Sequence, residues 1–279
     1  MAVLSYSAHL SNDKSSIKSK SKLEGVAKHN LRKYKSNEVE NYNEDSVSIL
    51  IGTNNIVKDV KRVYKEEFEK ARIEYNNKQK REDRKIKDYF EHESLKGKKD
   101  IAVEVIIQFG DVDYWGENQD KIPLIQHAYE EYLEEFKRQS PNLKIANAVI
   151  HYDENSPHIH VIAIPISTGY KNGFSKQVSK RKVLTKDYLK NVLQGSLRDF
   201  ADGKIKEWIG EDGLKLKLEG RNDDYTVAEY KTKKEQAKHD RLVKENEKLS
   251  QKVEESHKEL KETMTEQLLV QMALRDTTE

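Results

Sequence analysis

Five side chains able to bind or orient a metal fall within ten residues of this chain: His151, Asp153, Glu154, His158 and His160. They lie in the stretch IANAVIHYDENSPHIHVIAIPI at 145–166, where two runs rich in Val and Ile flank a polar turn. That pattern predicts a buried antiparallel hairpin. Side chains alternate faces along a strand, so His158 and His160 point the same way, their Cα atoms roughly 6.5 Å apart. The turn at 152–157 then sets His151 opposite that pair. Three imidazoles with one position left open suit a catalytic metal rather than a closed structural one. Asp153 and Glu154 stand beside the triad, where a carboxylate can accept the second N–H of a ligating ring. A lone strand histidine is usually a surface or satisfied core residue. Three of them with two acids at a strand–turn–strand junction make a metal motif whose context has to be checked.

Positioning those side chains requires a rigid sheet. Val149, Ile159, Val161 and Ala163 are expected to pack into one core and fix the backbone that carries the ligands. Around the hairpin, strands are predicted at 2–10, 46–52 and 101–109, the last being the apolar run IAVEVIIQF. Helices are predicted in the second half of 11–35, over 56–90, over 119–139 and from Thr185 to about Ala201. Ser140-Pro141 stops the third of these. Residues 167–182 read as a basic loop ending in Lys176, Lys180, Arg181 and Lys182, and 210–220 as a short strand. The order predicts an α+β fold, a central antiparallel sheet with flanking helices and one sheet face left free for the site.

Charged residues make up 36 % of the 279, against roughly 25 % in ordinary globular domains. Mean hydropathy is −0.94. Much of the chain is therefore solvated helix, and the core is expected in the first two thirds. We divide it into a catalytic domain at 1–220 and a charged helical extension at 221–279. In the extension Leu242, Asn246, Leu249, Val253 and Leu260 recur at heptad-like intervals, which predicts a coiled coil and a homodimer. A natural continuation past residue 279 is expected. The absence of cysteine excludes disulfides, thiolate zinc sites and cysteine nucleophiles. No apolar run is long enough to span a membrane and the N-terminus has no apolar signal region, so the expected location is cytoplasmic.

Net charge is only +2, so the case for nucleic acid rests on local clusters. Lys28, Arg32, Lys33 and Lys35 lie around His29, and Lys180 with Arg181 follow the hairpin. Such basic patches are the electrostatic footprint of phosphate contacts.

HYDENSPHIH at 151–160 resembles the HxDE…PHxH metal motif of the Mob/Pre (MobV-type) plasmid mobilisation relaxases, or plasmid recombination enzymes, within the HUH endonuclease class. Lys28-His29-Asn30 followed by Arg32 is similar to that family's first motif, in which a histidine is the nucleophile. The polar segment that follows it is echoed by Asn37, Asn41 and Asn43. Together the matches cover about the first two hundred residues in the right order. The resemblance implies an HUH-like fold and metal-dependent, site-specific nicking and rejoining of one DNA strand at a plasmid or mobile-element transfer origin. Under it, His29 attacks the phosphate and keeps the 5′ end, Glu154 orients a ligand or shuttles a proton, and His151, His158 and His160 hold Mn²⁺ or Mg²⁺. Three imidazoles favour Mn²⁺, Zn²⁺, Co²⁺ or Ni²⁺ over Mg²⁺, which ranks Mn²⁺ first. The implied partners are transfer-origin DNA and a coupling or secretion machinery. Tyr34, Tyr42 and Tyr64 are the alternative nucleophiles, of the kind other relaxase families use. Two other classes of function share the metal motif: a rolling-circle replication initiator and a non-catalytic DNA-binding module with a structural metal.

Overall fold

The computed structural model of the chain describes residues 4–10, 16–33, 46–154 and 156–214, with scattered helical positions between 236 and 256. In order these are β1 (Tyr6–Leu10), α1 (Lys20–Asn30), β2 (Val47–Ile51), α2 (Ile56–Asn77), α3 (Tyr89–Lys96), β3 (Val103–Phe109), α4 (Val112–Glu117), α5 (Ile125–Gln139), β4 (Leu143–His151), β5 (His158–Thr168) and β6 (Lys176–Val178). Short helices α6 (Lys180–Val183) and α7 (Lys186–Tyr188), a π-helical stretch at Leu189–Ser196 and α8 (Leu197–Ile209) complete them. The fold is α+β. Its sheet runs β1-β3-β5-β4-β2 with every neighbouring pair antiparallel, and β6 pairs with the far end of β5.

The central strand shows why this sheet has no open face over most of its area. From His158 to Ile166 every residue of β5 is buried, with no polar alternation. An antiparallel sheet exposed on one side would alternate apolar with polar residues. Here one face packs Ile107, Ile159, Val161 and Ala163 against Tyr132, Phe136 and Trp208 of α5 and α8. The other packs Val149, Ile162 and Ile164 against Leu23 of α1 and Val60 and Phe68 of α2. The expectation of one free face is thus corrected, and so is the grouping of Val149 with Ile159, Val161 and Ala163. Val149 pairs with His160 and shares the face of α1 and α2.

Helix α1 is held to that second face by a seam with helical spacing. Leu23, Ala27 and Asn30 are buried, and the Ser19 side chain accepts the Lys22 N–H at the N-terminus. His29 lies one residue off the seam, half-buried at the last turn. The predicted single helix over 56–90 is two helices. Asn76 brackets Ile86, its amide donating to the Ile86 carbonyl and accepting the Ile86 N–H, both at 2.9 Å, which folds the chain back between α2 and α3. The third helix starts at Ile125 rather than 119, because the preceding turns form a 3₁₀ segment containing Pro123. The expected basic loop contains β6 and α6. The last helix runs on to Ile209, where Gly210 (φ 73°) ends it.

The chain divides into two compact units, Met1–Leu218 and Glu219–Glu279. In the second, positions 236, 239, 243, 246, 249, 250 and 256 are helical, with Val243 and Leu249 exposed. Most of the coiled coil expected over 221–279, and residues 215–220 of the predicted short strand, lie outside the described residues; 210–214 form no strand. No helix among the described residues is long and apolar enough to cross a membrane.

Candidate metal centre

His151 ends β4 directly opposite His158, which begins β5, and His160 lies across from Val149 on the same face. Their ring centroids are 5.2 Å apart for 151 and 158, 4.9 Å for 158 and 160, and 4.3 Å for 151 and 160. Each ring has one nitrogen tied to a group that can only accept. His151 Nε2 lies 2.9 Å from the Asn30 carbonyl, His158 Nδ1 2.9 Å from the Ser156 carbonyl, and His160 Nδ1 2.8 Å from Glu104 Oε1. Those nitrogens must therefore carry the N–H, which leaves a lone pair on His151 Nδ1, His158 Nε2 and His160 Nε2. Those of His158 and His160 face each other.

That arrangement is a fit for a cation. The two Nε2 atoms of His158 and His160 are 3.0 Å apart, lone pair toward lone pair, and His151 Nδ1 is buried without a hydrogen-bond partner. An unpaired buried acceptor is costly, and a divalent ion bound beside it would satisfy it. Burial also favours the neutral form of two of the rings: it lowers His158 below the ordinary histidine value and pushes His160 down to about 3, against the raising effect of Glu104.

The carboxylate that fixes His160 is Glu104 of β3, and it was missed in the sequence. It is 8 % exposed and also accepts the Asn30 amide at 2.9 Å, so one acid locks both a hairpin ring and the end of α1. Its signal was a single acid in the middle of IAVEVIIQF. The turn that carries the Ser156 carbonyl is itself fastened, since Gln108 Nε2 donates to Ser156 Oγ at 2.9 Å and the Tyr129 hydroxyl to the Pro157 carbonyl at 3.2 Å.

His29 sits edge-on over this group, its ring centroid 5.6 Å from His151 and 5.5 Å from His160. Ligand atoms lie within 4.8 Å of one another in two sets, His29 with His151 and His160, and His151 with Glu154 and His158, so the hairpin histidines are divided between two sets that share His151. Burial lowers the His29 pKa, with His151 and Arg32 adding to that and Glu104 and Glu154 opposing. Glu154 reaches the centre from the other side, 3.8 Å from both His151 Nδ1 and His158 Nε2. Its carboxyl lies well below the usual range despite burial and stays ionised, and Arg32 Nη2 donates to its Oε1 at 2.8 Å.

The remaining expected site residues divide. Arg32 is 3 % exposed and turned inward onto Asp153 and Glu154, so it is not the surface cation that its neighbours suggested, and Asp153 pairs with it instead of orienting a ring. Lys28 and Lys33 are exposed on the α1 end, Lys33 donating to the Asn54 carbonyl at 2.7 Å. Lys180 lines a small cavity with Glu104 and Leu10, and Arg181 is exposed beside it in the chain. Tyr64 is removed as a nucleophile: it is 3 % exposed in the core, its hydroxyl donating to the Ile101 carbonyl at 2.7 Å. Lys35, Tyr34, Tyr42, Asn37, Asn41 and Asn43 lie outside the described residues. The sheet face beside the centre also carries the exposed Ser7 and His9 of β1, His9 in register with Ile106 and, through it, His160.

No curated protein matches the chain. Among solved structures, a Mn-bound crystal structure of the MobM relaxase domain (MOBV; Mob_Pre) with plasmid pMV158 oriT DNA aligns at 20 % identity and a TM-score of 0.47, covering 82 % of this chain and 98 % of that one. A second, with a 3′-thiophosphate DNA, aligns at 21 % identity and a TM-score of 0.46 over the same shares. Residues 52–217, which include Glu104 and the whole histidine hairpin though not His29, match the family described as plasmid recombination enzyme (Mob_Pre). That stretch is more than half of the 279 residues, and the chain therefore belongs to the Mob_Pre family of plasmid recombination enzymes.

Proposed function

We propose that this enzyme nicks and rejoins one DNA strand at the transfer origin of a plasmid or mobile element, with His29 forming a covalent bond to the 5′ phosphate. One observation carries the reading: the His29 ring, delivered by a separate element, stands within 5.6 Å of two of the three converging hairpin rings. A divalent ion, Mn²⁺ before Mg²⁺, would be held by His151 Nδ1, His158 Nε2 and His160 Nε2. When bound it supplies Lewis-acid stabilisation of negative charge on a phosphate oxygen.

The chain's own residues do the rest. His29 is kept neutral by burial and so keeps a lone pair for attack in line on phosphorus. The P–N bond forms as the bond to the 3′ oxygen breaks, that oxygen leaves as a 3′-OH with a proton from solvent, and the reverse reaction rejoins the strand. Glu104 and the Ser156 and Asn30 carbonyls fix the ring tautomers. Glu154, held ionised, serves as a fixed negative charge at the centre rather than a proton shuttle. Lys28 and Lys33, with Lys35, Lys180 and Arg181, grip phosphates along the strand, and the exposed Ser7–His9 strip offers it a lane into the centre. Dimerisation through the C-terminal helix, delivery to a coupling machinery and a cytoplasmic location complete the reading.

Covalent capture tests it. The full chain is mixed with Mn²⁺ and a random-sequence library of short single-stranded oligonucleotides, then resolved on a denaturing gel. The expected result is a metal-dependent protein–DNA adduct with a released 3′-OH fragment. Retained DNA without adduct or cleavage would support a binding module with a structural metal instead.

A further inference from the structure

Arg32 is the one non-glycine residue among those described with a positive φ, 54°. It closes α1 in the position where a left-handed residue, usually glycine, is found: its N–H donates to the His29 carbonyl at 3.0 Å and the Lys33 N–H to the Lys28 carbonyl at 2.8 Å. An arginine survives there only when its surroundings over-determine it. They do so here through the guanidinium. Nε donates to Asp153 Oδ2 at 2.8 Å, and Nη2 donates to Asp153 Oδ1 at 2.5 Å and to Glu154 Oε1 at 2.8 Å. Nη1 points back to the His29 carbonyl at 3.5 Å. The Arg32 and Asp153 side chains are 1 % and 3 % exposed.

We propose that Arg32 is a positioning residue, a strap that fixes the His29 end of α1 to the turn joining the hairpin histidines. The proposal rests on His29 as the nucleophile. Its backbone closes the turn that holds the His29 carbonyl, and its planar fork grips Asp153 with two bonds while keeping a third for Glu154. Lysine, with one tetrahedral ammonium, cannot reproduce that fork. Glycine would suit the backbone better and would remove the strap, which separates the two roles in one substitution.

The test compares Arg32→Gly, Arg32→Lys, Asp153→Asn and the Arg32→Gly/Asp153→Asn pair in the full chain with Mn²⁺ and a captured single-stranded oligonucleotide. A misplaced nucleophile lowers the saturated rate, so adduct formation in Arg32→Gly is expected to slow roughly 10- to 100-fold while the oligonucleotide Kd stays within about twofold. Lysine does not rescue it, and the pair is no slower than the slower single variant. Weakened DNA binding with the saturated rate preserved would overturn the strap and make Arg32 a phosphate contact. A urea-unfolding cycle over the same four proteins needs no DNA: coupling between 32 and 153 is expected, and additive effects would overturn the proposal. If the wild-type chain forms no adduct, the nucleophile reading fails while the cycle still judges the strap.

Discussion

At the residue scale, the centre works because acceptors outside the triad decide which nitrogen of each ring carries the proton. Glu104→Gln tests this most simply. An amide can donate to His160 Nδ1 and turn the Nε2–H toward the other rings, so Mn²⁺ affinity by calorimetry is expected to fall roughly 10- to 100-fold with the fold retained. Unchanged affinity would show that Glu104 does not set the tautomer. His29→Ala should behave oppositely, losing the covalent adduct while binding Mn²⁺ nearly as well as the parent. The three ligand candidates were legible because strand alternation and turn length depend only on local spacing. Glu104 was not, because its relation to His160 comes from β3–β5 register, which no local pattern encodes. Arg32 was misread for a similar reason. In a basic run it looks like a surface cation, and only the partner loop, far off in the chain, turns it inward.

At the element scale, the hairpin is held by a sheet sealed on both sides and by tight joints at its margin. Gly52, with φ 87°, joins β2 to α2 where an added Cβ would lie 2.6 Å from Asn147 Nδ2, 2.7 Å from Asp59 Oδ2 and 2.8 Å from the Ala146 carbonyl. Those atoms belong to a buried network in which Asp59 accepts from the Thr53 N–H and the Asn147 amide. Gly52→Ala should therefore destabilise the protein by about 1–3 kcal/mol, read as a lower urea midpoint at unchanged slope. Ile162→Ala, which empties a fully buried position on β5 beneath α1 and α2, should cost about 2–5 kcal/mol in the same assay. Strands β2 to β5 and the apolar stripe of α2 were readable from period and run length. The break between α2 and α3 was not, since no Pro or Gly marks it and the stop comes from Asn76 bonding to a residue ten positions on. The covered sheet face was missed because unbroken burial along β5 depends on how many helices the chain can bring to it.

At the scale of the whole molecule, the unit of residues 1–218 stores neutral imidazoles in its interior, and that makes its stability depend on pH. Burial lowers His29, His158 and His160, the last to about 3. Below about 6.5 the unfolded chain takes up protons on these rings that the folded chain does not. Folding stability of the metal-free protein is therefore full above that pH and declines as pH falls below it. Thermal unfolding should show a midpoint that drops between about pH 7 and pH 5, and excess Mn²⁺ should raise the midpoint at the upper end by binding only the folded form. A flat profile would contradict neutral buried rings. DNA affinity should fall steeply with added salt if the exposed lysines carry the phosphate contacts. The central claim, that His29 is the atom source for the covalent bond, is tested most directly by mass spectrometry of the trypsin-digested protein–DNA adduct. The expected result is a nucleotide phosphate on the peptide containing His29, and a phosphate on a tyrosine peptide would contradict it.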